Sequence, residues 1–186
     1  MFLVKIDEEL TMRMLSVRDA KDLFTITESS RAHLRKWIPW VDEIKSINDS
    51  LSFIKQSFHI YAERCGLTAG VFYKRKLVGI IGFNQFDWKN KIGYMGYWLA
   101  EEYEGQGIMT RAVRRLIDYA FEEFGLNRID IRAASENKKS RAIPERLGFT
   151  KEGRLRQAER LQGHYVDHII YGMLKEEWKT NLNKCT

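Results

Sequence analysis

Cysteine and proline are scarce, with two of each in 186 residues. Cys65 and Cys185 lie far apart, so they form neither a disulfide framework nor a cluster with metal-ligand spacing. No metal is expected, and a reducing cytoplasm is the simplest compartment for such a chain. Long apolar runs are missing too. The longest, residues 77–83, is interrupted by Gly79 and Gly82, and a membrane-crossing helix needs about 20 apolar residues. The first residues, Met1-Phe2-Leu3-Val4-Lys5-Ile6-Asp7, lack a basic segment followed by a long apolar stretch, which predicts no secretory leader. There is also no block of one charge. The net charge of +6, from 31 Lys and Arg against 25 Asp and Glu, is spread along the chain. It suits an acidic ligand or partner, whether a nucleotide cofactor, an acidic protein or nucleic acid. Without a basic arm, a local phosphate site is favoured and no direct nucleic-acid or membrane partner is expected.

What is present is a chain that is 44% hydrophobic and 12% aromatic, long enough to bury a core as one domain over residues 1–186. Residues 10–15 predict a short strand, and residues 19–31 a helix with Ala20, Leu23, Phe24 and Ile26 on its apolar side. An aromatic turn, Trp37-Ile38-Pro39-Trp40, leads to a second helix at residues 46–64. The spacing then changes to that of strands at 67–73, 77–86 and 92–100, an antiparallel meander. Residues 108–124 carry one continuous apolar stripe at steps of three and four, facing away from Arg111, Arg114, Arg115, Asp118, Glu122 and Glu123. A strand at 128–134, a short helix at 140–147 and paired strands at 149–161 and 165–174 complete the order, with a polar tail from Glu176. The 92–134 unit predicts a right-handed βαβ crossover in a mainly antiparallel sheet. The fold class is therefore α+β: about seven strands, a central parallel pair and four flanking helices.

Two stretches carry chemistry. In Glu102-Tyr103-Glu104-Gly105-Gln106-Gly107-Ile108-Met109-Thr110-Arg111 a Gly-x-Gly turn joins a strand to a strongly amphipathic helix. Free N–H groups at the helix start and the helix dipole favour an anion there. The turn is neither a P-loop nor a dinucleotide fingerprint, and the same residues also describe an ordinary strand-to-helix turn. In Asn137-Lys138-Lys139-Ser140-Arg141-Ala142-Ile143-Pro144-Glu145-Arg146-Leu147-Gly148-Phe149, Ser140 stands where a helix-capping hydroxyl is wanted.

Together, and in this order, these stretches resemble the GNAT N-acetyltransferases. Arg31-Ala32-His33-Leu34-Arg35-Lys36-Trp37-Ile38-Pro39-Trp40 and Gly93-Tyr94-Met95-Gly96-Tyr97-Trp98-Leu99 further resemble the RimJ/RimL type, which acetylates ribosomal-protein N-termini. The resemblance spans nearly the whole chain. Glu102 departs from it, standing where the family has Arg or Gln. The resemblance implies acetyl-CoA lying between two splayed parallel strands, 92–100 and 128–134, with a bulge near Gly96-Tyr97 freeing a backbone N–H for the oxyanion. Such a donor is worth on the order of 3 kcal/mol. Tyr97, Trp98, Leu99 and Ala100 would meet the pantetheine arm. Gly105, Gln106, Gly107, Ile108, Met109, Thr110 and Arg111 would surround the pyrophosphate, with Asn137 and Ser140 also at the cofactor. Ser140 is implied as general acid, alongside its reading as a helix cap, and Glu159 as general base, with His164, His168 or water as alternatives. Arg35, Trp37 and Trp40, with Arg31, would form the acceptor wall, although both tryptophans also fit as core anchors.

The function this implies is acetyl transfer from acetyl-CoA to a primary amine by direct attack in a ternary complex. The acceptor favoured is the α-amine of a protein such as a ribosomal protein. An α-amine has a reference pKa near 8, against about 10.4 for lysine, and so asks little of a carboxylate base. A small amine (an aminoglycoside, polyamine or amino acid) is the alternative acceptor. A non-catalytic acetyl-CoA-binding module is the rival class, and RNA or ribosome binding a third. The C-terminal strands offer a surface for a homodimer.

Overall fold

The computed structural model describes residues 2–183. Cys185 lies outside them, and Cys65 is an exposed free thiol. Eight strands form one sheet: β1 (Leu3–Lys5), β2 (Leu10–Arg13), β3 (Leu67–Tyr73), β4 (Lys76–Asp87), β5 (Ile92–Leu99), β6 (Arg128–Ala134), β7 (Thr150–Leu161) and β8 (His164–Leu174), in the order β1-β2-β3-β4-β5-β6-β8-β7. Every neighbouring pair is antiparallel except β5 and β6. The helices are α1 (Ala20–Ser29), α2 (Arg31–Leu34), α3 (Ile47–Ala62), α4 (Ile108–Glu122), α5 (Lys138–Arg146) and α6 (Lys175–Asn183).

The meander β3-β4-β5 and the β5-α4-β6 crossover stand where the periodicity places them. The apolar stripe of α4 is buried from Ile108 to Phe121, against Met95, Ile129, Ile131, Ile169, Tyr171 and Met173 of the sheet. A second cluster on the other face joins Leu23 of α1 and Ile54 of α3 to Ile80 and Trp98. The two sheet faces are thus covered differently. Side chains alternate along a strand, so Met95 faces α4 while Tyr94, Gly96 and Trp98 face the α1 and α3 side. On that side the covering stops short: Arg132 and Leu155 are exposed.

Three elements exceed the expected seven strands and four helices: β1, the short α2 and α6. β1 is too short to show an alternation, yet Val4 is buried and Phe2 meets Tyr119 edge-on at 5.0 Å. The expected polar tail is α6. Its Trp178 is buried, and the indole N–H donates to Asp118 Oδ1 at 2.7 Å. This aromatic residue anchors a segment in which the other residues from Lys175 to Thr180 are polar.

Candidate active site

A cleft of about 1860 Å³ opens where β5 and β6 part. The strands pair from Ile92–Arg128 to Met95–Ile131 and no further. Beyond that point Arg132, Ala133 and Ala134 pair only with β8, while Gly96 to Leu99 pair only with β4. The bulge expected near Gly96-Tyr97 is instead on the neighbouring strand. The β4–β5 register shifts between Phe83 and Gln85, leaving Asn84 as the extra residue. That β4 supplies the extra residue explains why β5 runs on unbroken, with its far edge left for the cleft.

Hydrogen-bond alternation then shows which backbone groups are free. Ala100 N–H donates to Val78 O at 2.9 Å. In an antiparallel ladder alternate residues bond to the same neighbour, so Trp98 and Gly96 also turn their N–H and C=O groups to β4. Those of Tyr97 and Leu99 point into the opening. Ala100 is fully buried, and its backbone N–H is already occupied.

The Gly-x-Gly turn borders the same cleft. Gly105 and Gly107 have φ of +75° and +70°, and no atom lies within 4 Å of where a side chain would begin at either. Only glycine takes this backbone without strain, and the turn leaves open space against the start of α4. Gly107 is the cap of α4 and has no side chain to satisfy the first N–H groups. Ile108 and Met109 turn their side chains into the core, so their contribution to the cleft is backbone. Thr110 Oγ1 accepts from Arg146 Nη1 at 2.7 Å, Arg111 pairs with Asp7, and Gln106 Nε2 donates to Glu102 O at 3.2 Å. Lys138 and Lys139 also line this end. Helix N–H groups without a side-chain cap, flanked by Arg111, Lys138, Arg146 and a Lys139 that pairs with Glu104, make an arrangement suited to a pyrophosphate. Glu102 is exposed and is not among the residues lining the cleft.

On the α4 side, α5 carries Ser140 to the cleft. The helix cap is Asn137, whose Oδ1 accepts from Ser140 N–H at 3.1 Å. Ser140 itself sits within the first turn, and its hydroxyl has no hydrogen-bond partner among the described residues. Tyr97 O–H donates to Ser140 O at 2.9 Å, tying α5 to β5, and burial pushes the phenol far above its ordinary pKa. It stays protonated. Tyr171, fully buried, accepts from Arg141 Nε at 2.9 Å and donates to Glu145 Oε1 at 2.6 Å, fixing the same helix from below.

On the opposite side stand Glu159 and His168, with Glu159 Oε2 3.0 Å from His168 Nε2. A break in the β7–β8 register between Leu155 and Glu159 brings them together. Asp167 holds this bulge: it accepts from Gln157 N–H at 2.7 Å and from Arg154 Nε at 2.5 Å. Those two partners keep the Asp167 carboxyl below its usual range. His164 lies at the exposed tip of the hairpin, away from the cleft.

Of the expected acceptor wall, Trp37 lines the cleft and Arg35 and Trp40 do not. Arg35 is exposed and pairs with Asp42 at 2.8 Å, while Trp40 stacks on Phe53 with ring centres 6.2 Å apart. Arg31 is bound to Glu28 and to the carbonyls of Val41 and Ile44, shaping the loop. The sequence reading gives no site role to several cleft residues, among them Asn84 of β4 and Arg132 of β6, which strand pairing brings to the site, and His33 of α2, whose Nε2 lies 2.8 Å from Glu104 Oε1.

Residues 9–150 match the acetyltransferase (GNAT) domain family. The Bacillus subtilis (strain 168) protein YdaF, provisionally named a ribosomal N-acetyltransferase, is 39% identical over 180 residues, covering 96% of this chain and 98% of that protein. The ribosomal-protein-serine acetyltransferase of Escherichia coli (strain K12) is 28% identical over 171 residues, 92% of this chain and 96% of the relative. Among solved structures, the microcin C7 self-immunity acetyltransferase MccE, in complex with acetyl-CoA and AMP, superposes with a TM-score of 0.88. It is 34% identical, covering 92% of this chain and 95% of that one.

Proposed function

Because the chain belongs to the GNAT acetyltransferase family, whose acetyl-CoA-dependent chemistry it shares, we propose that it acetylates the N-terminal α-amine of a protein, a ribosomal protein being the favoured acceptor. The observation that carries this reading is the split between β5 and β6, which opens a passage between the two faces of the sheet. On one face lie the glycine turn, the start of α4 and Ser140; on the other lie Glu159 and His168. Acetyl-CoA takes the first face and the amine the second, and they meet in the gap beside Tyr97.

Each group then has one task. The Tyr97 N–H, unpaired on the cleft side, holds the oxygen that gains charge when the amine attacks the thioester carbon. Glu159 takes the amine proton, directly or through water, as the new C–N bond forms. Ser140 Oγ–H gives its proton to the departing sulfur as the C–S bond breaks. His168 holds the Glu159 carboxylate in place. Trp37 forms the acceptor wall. The names of the YdaF and Escherichia coli relatives support a ribosomal acceptor, and cytoplasm is the compartment where such an acceptor is made.

A second acceptor class, a small amine, is favoured by MccE, which is more similar in sequence than the serine acetyltransferase and was solved with AMP. A thiol-release assay with acetyl-CoA against N-terminal peptides and small amines, with mass detection, separates the two. Product on Ser- or Ala-starting peptides is the expected result. Product on small amines alone replaces the acceptor, and acetyl-CoA binding with no product on any amine overturns the catalytic reading.

A further inference from the structure

The face that would receive the amine carries cations with no ion-pair partner among the described residues, Arg132 foremost. Strand alternation puts Tyr94 of β5, Arg132 and Ala134 of β6, His168 and Ile170 of β8, and Leu155 of β7 on the same side of the sheet. Arg132 is exposed and lines the cleft. Its guanidinium lies over the Tyr94 ring, 5.5 Å from the centroid, which keeps it on the cleft floor. Among the described residues no carboxylate lies within 4.0 Å of it. The carboxylates nearby are engaged elsewhere: Asp130 with Arg128, and Glu159 with His168. Arg156 reaches the same cleft from the β7 bulge, also without an ion pair among the described residues.

Position matters here. Ala134 is the β6 partner of His168, and Arg132 stands two residues before it, about 7 Å along the strand. An acceptor amine beside Glu159 and His168 would therefore place its next residue, or a substituent of similar reach, over Arg132. A bare guanidinium on a floor meant for an incoming ammonium is repulsive unless the acceptor brings an anion.

We propose that Arg132, assisted by Arg156, recognises an anionic group, carboxylate or phosphate, carried one residue away from the acceptor amine. The inference rests on the acceptor side assigned above. It has two consequences. The anion anchors the acceptor by charge-assisted hydrogen bonds. The guanidinium also lowers the pKa of the nearby amine, because a like charge disfavours its protonated form, leaving more of it ready to attack.

The test compares Ser-starting peptides that differ only in the second residue: Asp, phosphoserine, Ala or Lys. Wild type, Arg132→Gln and Arg156→Gln are assayed, with thermal melts to confirm folding. Binding of the corresponding N-acetylated product peptides is measured by calorimetry, which needs no turnover. The expected result is a kcat/KM for the anionic peptides about tenfold or more above that for Ala, tighter binding of their products, and a loss of that preference in Arg132→Gln. The ratio of the Asp to the phosphoserine peptide tells which anion is preferred. Equal kcat/KM and equal product binding for Asp and Ala peptides overturn the inference while leaving the enzyme reading intact. Discrimination in product binding with no acetylation of any peptide supports the anion site and overturns the peptide acceptor instead.

Discussion

Glu159 and His168 meet at 3.0 Å across a strand pair whose register is broken between them. In an unbroken ladder the residue opposite His168 is Leu155, and Glu159 would be four positions further on. Asp167 stabilises the bulge that closes this distance. We expect Glu159→Gln to lower kcat by about 100-fold, the usual range for losing a general base, with the melting temperature little changed. His168→Gln should lower kcat less, because a neutral donor still holds the carboxylate. Steady-state thiol release and thermal melts of both variants check this; equal losses in the two would place the base on the histidine.

Ser140 and Asn137 should separate by experiment, since the cap belongs to Asn137. Asn137→Ala should cost about 1 kcal/mol of stability, read from denaturant melts. Ser140→Ala should leave stability intact and lower kcat by about 100-fold. A stability loss in Ser140→Ala as large as that in Asn137→Ala would contradict the assignment.

Gly107→Ala tests the glycine turn. Space is no obstacle, as nothing lies within 4 Å of the new carbon, but φ is +70°. The left-handed backbone costs about 1 kcal/mol for alanine, and the shifted turn should weaken acetyl-CoA binding measured by calorimetry. Unchanged affinity would mean that the turn does not hold the pyrophosphate.

A pH dependence follows from Asp118. Burial raises its carboxyl above the ordinary value of 3.8, against the opposing hydrogen bond from Trp178. A raised value in the folded protein means that its stabilising effect is full below the unfolded pKa and is lost as pH rises through the folded one. Asp118→Asn keeps an acceptor for the indole and carries no charge at any pH. It should therefore raise the melting temperature above about pH 5 and give no gain near pH 3. A shift of the same size across pH 3–8 would contradict this account.

The sequence carried the cofactor side of the site better than the acceptor side. The apolar stripe of α4, the glycine pair and the Asn137–Ser140 stretch are local patterns, so spacing along the chain is enough to place them around one cleft. The acceptor side is built from strand pairing. Arg132, His168 and Glu159 are brought together by registers and a bulge that depend on distant partners. Glu159 and His168 are named from the sequence only through the family resemblance, and Arg132 is not named at all. Trp40 and Arg35 are instructive in the opposite direction. They stand in the same short stretch as Trp37, yet the loop braced by Arg31 turns Trp40 towards Phe53 and leaves Arg35 with Asp42. The bulge expected on β5 fell on β4 because either strand of a pair can hold the extra residue.

The four residue pairs that join β5 to β6 also divide labour along the gene. Residues before the seam, with α4 and α5, would build the seat for the acyl donor, and β6, β8 and β7 most of the floor on which the amine would rest. Substitutions in those last three strands could exchange one acceptor for another with little effect on how the donor is held. A scaffold divided in this way can diversify in what it acetylates while the glycine turn at its centre stays as it is.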